Sequence, residues 1–145
     1  MSRVRRVIDL MPAWGYTLLT TALILWLTLA RKPLGDTKIE LFPGADKVVH
    51  AIMFGWLSAM IVLDRTRRHG WRAAGVVFII AAAAVSTLFG IGIEFAQDAM
   101  GEGRSFDPGD MVADGAGAII AGIIWYLLRG DFNGREQHSR TGETK

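Results

Sequence analysis

Three pairs of polar residues stand out in an otherwise apolar chain: Asp46 with His50, Glu94 with Gln97, and Asp110 with Asp114. The members of each pair are three or four positions apart, so on a helix each pair shares one face. An imidazole among carboxylates suits general acid–base chemistry, and His50 and Glu94 are the pair expected to carry it. Arg104 adds a planar guanidinium suited to gripping a carboxylate or phosphate. Asp46, Gln97, Arg104, Asp110 and Asp114 are the expected binding residues. Asp/His/Glu sets also bind divalent cations. There is no His-Glu-x-x-His stretch and no histidine pair, so a tight zinc site is not expected and the identity of any metal stays open. Ser105 lacks a nucleophile-elbow context. GIGIE lacks the helix start that a dinucleotide-binding loop requires.

Some of these residues have plainer uses. Asp107, followed by Pro108 and then Asp110, has the form of a helix N-terminus, with a capping Asp, Pro in the first turn and an acid that complements the dipole. Asp46 and Asp110 admit the same reading. Gln97 fits interhelical hydrogen bonding equally well. Asp114, His50 and Glu94 sit too far inside their segments for capping, so the alternative for them is a network that locks helices together.

The elements that position these residues follow from composition. Over 145 residues the chain is 51% hydrophobic with mean hydropathy +0.30, more apolar than an ordinary soluble domain of that length can bury. It contains no cysteine, which excludes disulfides and thiolate chemistry. The small net charge of +2 gives no support to nucleic-acid binding.

Leu10 to Ala30 is uncharged over 21 positions, roughly 31 Å of helix against about 30 Å of hydrocarbon. Its length and the poor cleavage context at TLARK favour a retained helix over a secretory signal. Val48 to Leu63, Ala73 to Ile93 and the run ending at Leu128 supply three more apolar segments. The fold class expected is therefore all-α: a polytopic bundle of four transmembrane helices, about 10–30, 46–64, 73–97 and 109–128, forming one domain over 1–130. A polar tail, 131–145, is expected to be disordered.

Basic residues set the orientation. Arg3, Arg5 and Arg6, then Arg65, Arg67, Arg68 and Arg72, then Arg129, Arg135, Arg140 and Lys145 fall on one side of that bundle. The positive-inside bias puts this side, with both termini, in the cytoplasm. The three polar pairs then meet at the outer face. Gly115 to Leu128 spans only 14 residues, roughly 21 Å of helix, so Asp114 is expected below the outer interface, and His50 at similar depth. Ionisable groups at that depth cost a few kcal/mol, on the order of 2.5–3.5 on insertion scales, and normally face a bundle interior. Confinement of the cluster to one leaflet argues against an ion-conducting path.

DKVVH (46–50), IEFAQ (93–97), GRSFD (103–107) and DMVADGAGAIIAG (110–122) together resemble the VanZ-like family of small bacterial membrane proteins. One departure is Asp114, where the family usually has Asn. The resemblance implies an integral membrane protein of the cell envelope, distantly related to proteins associated with teicoplanin resistance. Expected partners are membrane lipids and a lipid-linked envelope precursor, with no nucleic acid. Two functions follow as expectations. In one, the outer-face cluster acts on or binds a lipid head group. In the other, a non-enzymatic protein uses it as an interhelical lock or an ion, lipid or partner site.

Overall fold

The computed structural model describes residues 11–30, 42–70, 73–101 and 106–142, with side chains to Arg129. These residues form four helices and no strand: α1 (Gly15–Leu29), α2 (Ala45–His69), α3 (Val76–Met100) and α4 (Pro108–Gly142). Helices α2, α3 and the Pro108–Arg129 part of α4 are long and apolar enough to cross a membrane.

α1 is shorter than the 10–30 helix the sequence predicts. Trp14 adopts a left-handed conformation at φ 62° and begins the helix late. A bulky residue rarely pays that conformational cost without support. Support comes from α2, where the Arg67 guanidinium donates to the carbonyls of Met11 (2.8 Å) and Pro12. The resulting 15 residues amount to roughly 22 Å of helix, less than a hydrocarbon core.

α4 departs in the other direction. Instead of stopping at Leu128 it runs to Gly142, through most of the segment expected to be disordered. That segment contains no proline, and extending an existing helix avoids the cost of nucleating a new one.

Side-chain contacts fix how the helices run. The starts of α2 and α4 lie together through Lys47–Asp107 and His50–Asp114, and the end of α3 joins them through Glu94. The end of α1 reaches the same place, its Thr28 carbonyl accepting from Gln97 at 2.9 Å. Chain direction thus alternates from helix to helix, as short connections require. We call this the site end and the other the far end.

α2 and α4 make the most extensive contact. It depends on two glycines: a Cβ on Gly117 would stand 1.9 Å from the Ala51 carbonyl oxygen, and one on Gly55 2.8 Å from the Gly117 carbonyl oxygen. Small residues are what allow helix backbones to approach this closely in a membrane. Gly117 is thus the critical small residue of α4.

Two apolar clusters fill the interior. Ile24, Phe54, Leu57 and Ile93 pack towards the site end, and Val62, Ala74, Ile79 and Ala82 towards the far end. Outside them, Leu18, Leu23, Ile52, Val77, Ile80, Leu88, Ile119 and Leu127 are exposed. Apolar residues both inside and out are what helices surrounded by lipid require.

Candidate functional site

Pro108 starts α4 after Asp107, whose Oδ1 accepts the Gly109 N–H at 2.7 Å, the capping bond its sequence context predicts. Its Oδ2 accepts from Lys47 Nζ at 2.7 Å. Those two contacts, Lys47 first, hold the Asp107 carboxyl below the ordinary carboxylate range. Asp46 takes no cap position: Gly44 does, at φ 83°, and Asp46 lies exposed in the first turn with Lys47 Nζ at 3.4 Å.

One and two turns into α4, Asp110 and Asp114 face α2. Asp110 divides its oxygens, with Oδ1 3.2 Å from Lys47 Nζ and Oδ2 3.9 Å from His50 Nε2. Asp114 is fully buried and its Oδ1 meets His50 Nδ1 at 3.0 Å. With Asp114 ionised, Nδ1 donates. The room for Asp114 comes from α3: a Cβ on Gly90 would lie 2.3 Å from Asp114 Oδ2.

Glu94 is buried on α3, and its Oε2 accepts the Asp107 backbone N–H at 3.2 Å, binding the end of α3 to the start of α4. Its other oxygen, Oε1, and Asp114 Oδ2 are buried without a hydrogen-bond partner among the described residues. Such groups are uncommon, since an unsatisfied buried polar atom costs about 1–3 kcal/mol. Donor atoms of His50, Glu94 and Asp110 all lie within 4.8 Å of one another, as do those of Asp46, Asp107 and Asp110.

The structure therefore brings His50, Glu94, Asp110 and Asp114 together, with Asp46 at the rim. Gln97 turns away to α1. Arg104 lies outside the described residues. Lys47 is the cation found here that the residue spacing did not single out; its signal was its position directly between Asp46 and the His50 turn.

A second polar cluster, at the far end, went unanticipated. Asp64 is buried: its Oδ2 accepts from the Thr17 N–H (2.9 Å) and hydroxyl (2.8 Å), and its Oδ1 from Arg67 Nε (2.8 Å). The sequence marks Asp64 only as the boundary of an apolar run. Buried polar groups are thus not confined to one end of the bundle, and that argument against a through-path falls.

Two grooves run along α4, and the first begins at the site-end cluster. One of about 440 Å³ runs between α2 and α4 from Lys47 past Ala51 and Gly55 to Ile124; another of about 680 Å³ lies between α3 and α4 over Ile80, Thr87, Ile119 and Tyr126. Both are almost wholly apolar.

The chain belongs to the VanZ/LLP1 family, whose model matches residues 2–129. With its apolar helices, this makes it a VanZ-like membrane protein. The matched region contains every residue of the cluster and ends where α4 leaves its apolar stretch. No curated protein and no solved structure matches the chain.

Proposed function

We propose that this is a four-span protein of the bacterial inner membrane, both termini cytoplasmic, that binds or acts on a lipid head group at its outer face. The observation that carries this reading is Lys47. Its ammonium joins the Asp107 and Asp110 carboxylates, while its residue forms the upper end of the apolar α2–α4 groove. A polar head and an apolar tail would each find their own surroundings there, in a groove within the size range of small-molecule sites. The family's association with teicoplanin resistance makes a lipid-linked envelope precursor the ligand to try first. In this reading His50 and Glu94 handle protons and Asp110 and Asp114 orient the ligand.

The test compares lipids co-purifying with wild type, His50→Gln and Glu94→Gln from one bacterial host. Loss of a retained head-group lipid in folded variants is expected; identical lipid profiles from all three would sink the proposal. Topology has its own test, because the chain contains no cysteine to confuse labelling. Ser105→Cys should react with an impermeant thiol reagent from outside intact cells, and Thr144→Cys should not.

A second reading is favoured by the number of helix-to-helix bonds. Lys47 and His50 tie α2 to α4, and Glu94 ties α3 to the Asp107 backbone. On this view the cluster is a lock, and Lys47→Met or Asp114→Ala lowers the melting temperature in detergent without changing any bound lipid.

A further inference from the structure

We infer that His50, Glu94 and Asp110 bind one first-row divalent cation, with Asp114 as the positioning residue behind His50. This rests on the side-chain geometry and not on the head-group reading.

The donor set comes from three turns on three helices. His50 Nδ1 is committed to Asp114 Oδ1 at 3.0 Å, leaving Nε2 as the nitrogen that faces Asp110. An imidazole whose second nitrogen donates to a carboxylate is the usual arrangement of a metal-bound histidine, because that bond fixes the ring and raises its basicity. Asp110 Oδ1 is drawn to Lys47, and Oδ2 is left facing the imidazole. Glu94 Oε2 takes the Asp107 N–H, leaving Oε1.

Convergence of acids alone would mean little. The independent observation is Glu94 Oε1, an oxygen unpartnered among the described residues, on a residue 1% exposed that belongs to this convergent group. Glu94, Asp110 and Asp114 together set three carboxylates around one imidazole. In a membrane-embedded bundle that excess of negative charge is costly. A divalent cation would neutralise it and occupy the open oxygen at once.

Distances are close to what a metal needs. Ligands at about 2.0–2.2 Å stand up to roughly 4.4 Å apart across an ion, against the 4.8 Å within which these donors fall. Small side-chain rotations close the difference. One imidazole with oxygen donors suits Mn²⁺ or Zn²⁺ and gives no thiolate to select a softer ion. The rival group, Asp46, Asp107 and Asp110, is more exposed and already has the Lys47 ammonium among its carboxylates.

The experiment uses the full chain in detergent, stripped with chelator and titrated with Mn²⁺ under electron paramagnetic resonance, then with Zn²⁺ in competition. One tightly bound Mn²⁺ per chain is expected, showing nitrogen coupling from the imidazole. Glu94→Gln and Asp110→Asn should each weaken binding at least 10-fold, and Asp114→Asn by about 10- to 100-fold. Asp46→Asn and Asp107→Asn, which remove no ligand, should weaken it far less than Glu94→Gln or Asp110→Asn. Folded wild type that binds no stoichiometric Mn²⁺ or Zn²⁺ overturns the inference, as does binding without nitrogen coupling or binding lost only in the Asp46 and Asp107 variants. The nitrogen coupling needs no variant, so its absence overturns the inference even where a substitution prevents folding. The readout is bound metal and not lipid, so failure here leaves the head-group reading standing, and the lipid comparison leaves this one.

Discussion

The two polar clusters differ in one respect, which is how completely their buried atoms are paired. At the far end both Asp64 oxygens accept hydrogen bonds, and Arg67 spreads over Asp64, the Met11 and Pro12 carbonyls ahead of α1, and the Tyr16 ring at 5.1 Å. At the site end two carboxylate oxygens are buried without partners among the described residues, and three acids surround one imidazole. A satisfied buried network rigidifies a fold, whereas an unsatisfied one calls for a ligand, a catalytic role or stored strain. The far cluster anchors α1, the short helix. The near cluster ties α2, α3 and α4 together yet leaves two buried oxygens open among the described residues.

Asp64→Ala should have the largest effect on stability. It removes the buried carboxylate that accepts from Arg67 Nε and from Thr17, and breaking a buried pair from one side costs about 3–5 kcal/mol. Thermal unfolding in detergent should show this, along with faster proteolysis at the α1 start. A variant that melts like wild type would mean that the far cluster anchors nothing.

Gly117→Ala should come next. Its new Cβ meets backbone and not a movable side chain, so α2 and α4 must separate, at about 1–3 kcal/mol for an overpacked interface. Separation also moves His50 away from Asp110 and Asp114, so the site should fail with the packing. Gly90→Ala offers the contrast, since its Cβ meets the Asp114 carboxylate and not backbone. Its effect should fall mainly on the site.

Glu94→Gln and Asp114→Asn sharpen the comparison from the other side. Each keeps the side-chain shape and removes one negative charge from a place with too many, so the melting temperature should hold or rise. Asp114→Asn also installs the residue that the family resemblance puts at this position. If both variants lose as much stability as Asp64→Ala, the two clusters are alike and the near one is a lock.

Much of the near cluster was legible because its signal is local. Charged residues at helical spacing within apolar runs declare both their shared face and their depth, and alternating helices bring the Asp46–His50, Glu94 and Asp110–Asp114 turns to one end. Asp64 and Arg67 were not legible for the complementary reason. They stand where the apolar segment gives way to basic residues, and only the contact with α1 distinguishes a buried acid from an interfacial one. The late start of α1 depends on the backbone of Trp14, a residue with no turn signature of its own. Lys47 was masked by its type, since a lysine at the edge of an apolar run is usually explained by snorkelling.

The smallest effect is expected at the rim, in the Lys47–Asp107 pair. Both side chains are more than two-fifths exposed, and exposed pairs contribute little. The direction is nevertheless determined by the depressed Asp107 pKa. A carboxyl whose pKa is lower when folded contributes stability above its ordinary value of 3.8 and loses it as pH falls through the folded value. The melting difference between wild type and Asp107→Asn should therefore stay constant from neutral pH to about pH 5, then shrink on further acidification. Asn still accepts the Gly109 N–H, so the comparison isolates the charge from the cap. A difference that grew on acidification would mean that Asp107 is held in place by something other than Lys47, and the rim would have to be counted with the unsatisfied acids beneath it.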